Sequence, residues 1–154
     1  MLKQLTVVLA LIAVTSATDL PSKKQLNLAA IKTMVSAAEA EAHKRNVEVS
    51  LCIVDDSGNL LFLQKADGAP LNTVEFARRK ARSAAIYGSP SREAGEALHK
   101  GNLDVLTFPD YFPAQGGLPI QVDGQTIGGM AASGAKSEID EAIVQTAIDT
   151  LLKK

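Results

Sequence analysis

Apolar residues recur every three to four positions in two long stretches, one in each half of the chain. The first runs from Gln25 to Arg45 and the second from Lys136 to the C-terminus. This spacing places the apolar residues on one face of a helix and the polar residues on the other. The pattern predicts two amphipathic helices. The buried face of the second comprises Ile139, Ala142, Ile143, Ala147, Ile148 and Leu151.

Two other stretches alternate apolar and polar residues, which is typical of half-buried strands. Val47 to Asp55 and Leu60 to Lys65 are separated by a short polar turn and predict one hairpin. A second hairpin is predicted where Leu118, Ile120 and Val122 precede Asp123-Gly124, a pair suited to a tight turn with positive φ.

The segment between the hairpins has the signals of further helices. Asn72 or Thr73 can begin a helix that runs to about Tyr87, and a shorter helix is expected from Ser91 to Lys100. Gly101 to Gln115 is predicted to be irregular. Strands joined by hairpins form antiparallel sheets, so the order of elements predicts an α+β domain with helices flanking a central antiparallel sheet.

Composition narrows the classes of function. The chain has 154 residues, a formal net charge of −1, no tryptophan and 4% aromatic residues, so neither a basic surface nor a base-stacking platform for nucleic acid is indicated. Its one cysteine, Cys52, has no second cysteine for an internal disulfide. Because Cys52 lies in an apolar run, we expect it to be a small buried hydrophobe.

The N-terminus has the features of a secretory signal peptide. Lys3 precedes an apolar run from Leu5 to Val14, and small residues follow at Thr15 to Ala17. An uncleaved membrane anchor is the alternative interpretation. We therefore predict a signal peptide over residues 1–17, a mature N-terminal segment over 18–25, a single domain over 26–154, and export to the periplasm or the extracellular space.

Glycine pairs flank and interrupt the second hairpin. Gly116-Gly117 precedes it and Gly128-Gly129 lies within it. Bare backbone at these positions indicates a close approach, either of a ligand or of a packed helix. A phosphate-binding loop does not fit, because such loops join a strand to a helix. We expect any pocket to lie between Gly116-Gly117 and the helix that carries Arg78 to Arg82.

The chemically versatile side chains are few. His43 lies near the end of the first helix, where its imidazole either ligates a metal or is simply solvated, and the same alternatives apply to His99. Arg78, Lys80 and Arg82 either bind an anionic ligand or form a solvated helix face. No hydrolase, P-loop or zinc-protease motif is present, so the residues themselves indicate no catalytic group.

Several motifs, in order along the chain, resemble one known family. The first hairpin of that family is matched by Val49 to Leu60. Its central helix is matched by Asp67-Gly68-Ala69 together with Ala77 to Ala84. Its closing hairpin and helix are matched by Gly116 to Ile120, Asp123-Gly124, Ser133-Gly134-Ala135 and Asp140-Glu141. The chain from about Leu26 onward is identified as a member of the GlcG/HbpS-like family. That family includes haem-binding secreted proteins and the C-terminal domain of PduO-type corrinoid adenosyltransferases.

The resemblance implies a profilin-like α+β fold and a homo-oligomer, often an octamer. It also implies a haem-binding protein for scavenging, storage or extracellular sensing, in which His43 ligates the iron. Arg78, Lys80 and Arg82 would contact the haem propionates beside Gly116 and Gly117, and Thr107 is a second candidate ligand. Two alternatives stay open. The first is an enzyme that acts on a small organic acid or aldehyde through Lys80 or Asp67. The second is an oligomeric protein that docks a membrane sensor.

Overall fold

Four helices and four strands make up the computed structural model, which describes residues 18–19 and 21–153. In chain order they are α1 (Leu28–Lys44), β1 (Ser50–Asp55), β2 (Leu60–Lys65), α2 (Thr73–Tyr87), α3 (Arg92–His99), β3 (Gly117–Val122), β4 (Gln125–Ser133) and α4 (Ser137–Leu152). The prediction of an α+β domain is confirmed. The predicted signal peptide, residues 1–17, lies outside the described residues.

The strands form one antiparallel sheet in the order β2-β1-β4-β3. Each predicted hairpin is present, and β1 pairs with β4 to join the two. Asp123 and Gly124 have φ values of 51° and 77°, as the Asp-Gly turn requires.

The two faces of the sheet are buried against different helices. Leu51 and Ile53 of β1 point into the larger core, which α1 and α4 complete. Cys52 and Val54, which alternate with them, point to the opposite face and pack with the small residues Ala77, Ala81 and Ala85 of α2. Strand β1, which is buried from Ser50 to Val54, therefore lies between two helical layers.

The close approach of α2 explains Gly129 of β4. A Cβ atom at Gly129 would lie 2.4 Å from the Ala81 carbonyl oxygen and 2.9 Å from the Ala85 nitrogen. Both are backbone atoms that cannot rotate away, so any side chain here would push the helix off the sheet.

The irregular segment contains one element that the sequence pattern did not indicate, a 3₁₀ helix at Leu103–Thr107. Asn102 caps it, since its side-chain oxygen accepts from the Asp104 amide at 3.1 Å. Five residues are too few for an amphipathic period to show in the sequence. Within residues 18–19 and 21–153, no helix is both long and apolar enough to cross a membrane.

Candidate functional site

His43 lines an open cavity of about 360 Å³ between the end of α1 and the strands β1 and β2. Apolar side chains form much of its wall, namely Ala42, Val47, Val49, Leu51 and Ala66. The imidazole is exposed, and within residues 18–19 and 21–153 it makes no hydrogen bond or ion pair. His43 is therefore free to bind a ligand that enters the cavity.

Three carboxylates, from Glu39, Glu48 and Asp67, line the same cavity. Glu39 accepts a hydrogen bond from the Gln64 amide at 2.6 Å, which joins α1 to β2 across the cavity. Glu48 accepts from the backbone amide of Gly68 and so holds the loop after β2 in place. The rim is thus acidic, although the walls are apolar.

Lys80 and Asp140 form a buried ion pair between α2 and α4. The Lys80 Nζ lies 3.1 Å from the Asp140 Oδ2 and also donates to the Ala132 carbonyl oxygen at 3.1 Å. Only 4% and 3% of the two side chains are exposed. Because α2 and α4 lie on opposite faces of the sheet, this pair links the two helical layers.

Burial perturbs both members of the pair. Loss of hydration lowers the pKa of Lys80, opposed by the attraction of Asp140. The same loss raises the pKa of Asp140, opposed by the attraction of Lys80 and by hydrogen bonds from the Ala135 and Gly134 amides. Desolvation is the largest influence on each group, so the pair is costly to bury even though it is well matched.

Gly116 and Gly117 pack directly against Lys80. A Cβ atom at Gly116 would lie 2.9 Å from the Lys80 Nζ, and one at Gly117 would lie 2.5 Å from the Lys80 carbonyl oxygen. The expectation of a pocket between these glycines and α2 is therefore wrong, because the helix itself occupies that space.

Lys80 is predicted to contact a haem propionate, which needs an accessible ammonium group, but its side chain is buried. Its ammonium group points inward to Asp140, and Lys80 does not line the His43 cavity. A buried lysine with a lowered pKa is a feature that favours the alternative of an enzyme acting through Lys80. Here its contacts are those of a structural link, since both of its partners belong to the protein interior.

Arg78 and Arg82 are also engaged. Arg78 bonds Glu75 through two guanidinium nitrogens, each at 2.9 Å. Arg82 bonds both oxygens of Asp110 at 3.1 and 2.8 Å, and this hydrogen-bonded guanidinium lowers the pKa of Asp110. An anion would have to displace these carboxylates.

The predicted site residues are thus not brought together. His43 lies beside the sheet face that α1 and α4 cover, whereas Arg78, Lys80 and Arg82 lie on the helix that covers the other face. None of these three lines the His43 cavity. Three further residues of the cavity, Glu39, Glu48 and Gln64, are not indicated by any sequence pattern, because only the packing of α1 beside β2 brings them to His43.

The remaining candidates are not ligands of a shared metal. The Thr107 hydroxyl donates to the Asp104 carbonyl oxygen at 2.7 Å within the 3₁₀ helix. Cys52 is buried, as expected, and burial raises the pKa of its thiol to about 12. Among residues 18–19 and 21–153, no group of three or more His, Cys, Asp or Glu side chains could hold a metal ion.

Comparison with known proteins shows similar sequences and similar structures. Residues 26–149 match the family model described as "Haem degrading protein HbpS-like". Protein GlcG of Escherichia coli is 33% identical over 100 residues, which cover 65% of this chain and 75% of that protein.

Two solved structures share the fold along most of their length. A PduOC:heme complex is 27% identical, with a TM-score of 0.76 over 82% of this chain and 95% of that one. A double mutant of Streptomyces reticuli HbpS is 27% identical, with a TM-score of 0.80 over 94% of this chain and 99% of that one.

Proposed function

Because the chain belongs to the HbpS-like family of haem-binding proteins, we propose that it binds haem in the cavity beside α1, with His43 as the axial ligand of the iron. The observation that carries the proposal is the unpartnered imidazole at an apolar-walled cavity. Haem supplies four nitrogen ligands from its own macrocycle, so a single histidine is sufficient to hold the iron. A site with no cluster of protein ligands therefore fits haem better than it fits a bare metal ion.

The cavity matches the chemistry of a flat apolar ring. The half-buried Val47 lines the cavity with the edges of the core residues Val49 and Leu51, and the volume lies within the range of ordinary ligand pockets. Glu39, Glu48 and Asp67 would repel the propionates, so we expect the ring to bind with its propionate edge away from these carboxylates and toward solvent.

The proposal does not require Arg78, Lys80, Arg82, Gly116 or Gly117. Lys80 and the two glycines contact one another in the protein interior, and the two arginines are bonded to Glu75 and Asp110. Their predicted contact with propionates would need a different arrangement of these ion pairs. We therefore assign the binding of the macrocycle to the α1 side of the sheet.

The physiological setting is also part of the proposal. The features of residues 1–17 support export, and an exported haem-binding protein would serve in scavenging, storage or extracellular sensing. Determining the N-terminal residue of the protein recovered from the periplasm or the medium tests this directly. A mature chain that begins near Thr18 is expected, and an intact N-terminus on protein retained in the cytoplasm would contradict it.

Titration of the purified protein with ferric haem, followed by Soret absorption, tests the binding. The wild-type protein is expected to bind saturably, at one haem per His43. The His99→Ala variant is the matched control, because His99 is also exposed at the end of a helix but lies outside this cavity. Loss or a shift of the Soret band in the His43→Ala variant alone supports the proposal, and no saturable binding by the wild type would contradict it.

A further inference from the structure

One carboxylate at the rim of the His43 cavity is held in place across the gap between α1 and β2. Glu39 lies one turn before His43 on α1, so the two side chains share a face of the helix. The Glu39 Oε1 accepts a hydrogen bond from the Gln64 Nε2 at 2.6 Å. Glu39 therefore cannot turn away from a ligand at His43 without losing this hydrogen bond.

The loop after β2 brings two further carboxylates to the same cavity. Glu48 accepts a hydrogen bond from the backbone amide of Gly68. Since Gly68 directly follows Asp67, this bond also restrains the backbone at Asp67. The Asp67 side chain is exposed and lines the cavity. The fold thus keeps three negative charges beside the candidate ligand of the iron.

The cations close to these residues in sequence do not line this cavity. Lys44 and Arg45, at the end of α1, pair with Glu41 at 3.5 and 2.7 Å. The Lys65 Nζ donates to the Asp67 carbonyl oxygen at 3.1 Å, so it offsets only part of the charge of the loop. Among the described residues, those that line the cavity include three carboxylates and no lysine or arginine.

We propose that this acidic rim makes the cavity selective among iron porphyrins, so that it accepts those with carboxylates on one edge of the ring and rejects those with carboxylates on every edge. The inference rests on the proposed binding of haem at His43. Haem carries its two propionates on neighbouring pyrrole rings, and the opposite edge carries only methyl and vinyl groups. That edge can enter the cavity while the propionates face solvent.

An iron porphyrin with a propionate on each of its four pyrrole rings has no uncharged edge. In every orientation at least one of its propionates meets the rim. A propionate about 7 Å from each of three exposed carboxylates is expected to weaken binding about tenfold at low salt. The propionate would also lose hydration against the apolar walls, where the described lining residues offer no cation in return.

Titration of the purified wild-type protein with ferric haem and with ferric coproporphyrin III, which carries four propionates, tests the selectivity. At low ionic strength the tetrapropionate is expected to bind about tenfold or more weakly than haem. Between 0.01 M and 1 M salt, as the Debye length falls from about 30 Å to about 3 Å, the ratio of the two dissociation constants should fall by about threefold or more. A purely steric preference would not depend on salt in this way.

A variant without the rim charges provides the second measurement. The triple variant Glu39→Gln, Glu48→Gln and Asp67→Asn keeps the size of each side chain, and the amides at Glu39 and Glu48 retain an oxygen that can accept the existing hydrogen bonds. Its affinity for ferric coproporphyrin III should rise about tenfold more than its affinity for haem. Glu138→Gln is the matched control, because Glu138 is exposed in the first turn of α4 and lies outside the cavity.

The outcomes separate the selectivity from haem binding itself. If the wild type binds neither porphyrin saturably, the proposed function fails and the selectivity fails with it. If the wild type binds both porphyrins equally well, or if the triple variant keeps the wild-type ratio of affinities, haem binding stands and the selectivity is refuted. An equal change of that ratio in Glu138→Gln would also refute it, because the effect would then belong to the net charge of the protein and not to the rim.

Discussion

Lys80 and Asp140 meet across the sheet, with the Lys80 Nζ 3.1 Å from the Asp140 Oδ2 and both side chains buried. Gly116 lies against the pair, since a Cβ atom there would come within 3.0 Å of Asp140. The glycine pair before β3 thus makes room for an interior ion pair. Lys80 and Gly116, which the sequence predicts as ligand-binding residues, therefore belong to the contact that holds the two helical layers together.

Removal of one partner of this pair is expected to be strongly destabilising. Asp140→Asn keeps the size of the side chain but leaves the buried Lys80 ammonium without an opposite charge, which costs about 3 kcal/mol or more. Urea unfolding measures the effect. The exposed Glu138, in the same first turn of α4, provides the control Glu138→Gln.

Replacement of both partners is expected to restore most of that loss, because desolvation dominates the pKa shifts of Lys80 and Asp140. The double variant Lys80→Met with Asp140→Asn should therefore be more stable than Asp140→Asn alone. If Asp140→Asn and Glu138→Gln unfold at the same urea concentration as the wild type, the buried pair does not have the assigned role.

Cys52 should make the protein less stable at alkaline pH. Burial raises the pKa of its thiol from 9.0 to about 12. Above pH 9 the unfolded chain therefore releases this proton while the folded protein keeps it. The contribution of Cys52 to the free energy of unfolding is complete below that pH and is lost as the pH rises toward the pKa of the folded protein. Unfolding free energies measured at about pH 8 and about pH 10.5 should fall more steeply in the wild type than in Cys52→Ala. Equal slopes would show that the thiol is not protected from ionisation.

Gly129 and Gly95 should respond in opposite ways to an added methyl group. Gly129→Ala places a Cβ atom 2.4 Å from the Ala81 carbonyl oxygen, so we expect a loss of about 1–3 kcal/mol or more as α2 is displaced. Gly95 lies inside α3, and its nearest neighbour, the Pro113 carbonyl oxygen, would be 3.4 Å away. Because alanine favours helices over glycine by about 1 kcal/mol, Gly95→Ala should be neutral or stabilising. Thermal unfolding of both variants checks this, and a harmless Gly129→Ala would contradict the packing.

Local sequence signals predicted most of the fold. The Asp123-Gly124 turn, the alternation in β1 and the small face of α2 each follow from residues close together in the chain. The site could not be predicted in the same way. His43 and Gln64 lie on different elements, and only the packed fold brings them to one cavity.

The polarity of Asp140 does not indicate whether its side chain is exposed or buried. In the helical pattern of α4 it was one more polar residue, yet it is 2% exposed. Its partner Lys80 is 60 positions away, beyond the reach of any periodicity. Lys80 lies between the apolar and the exposed faces of α2, and this position is the one signal in the sequence that its side chain could be buried.

Chemical rescue of the His43→Ala variant by free imidazole is the most direct test of haem ligation. The variant loaded with ferric haem should lose the wild-type visible spectrum, and added imidazole should restore it by occupying the vacated ligand position. His99→Ala should have the wild-type spectrum throughout. A His43→Ala variant whose spectrum matches the wild type before imidazole is added would contradict ligation by His43.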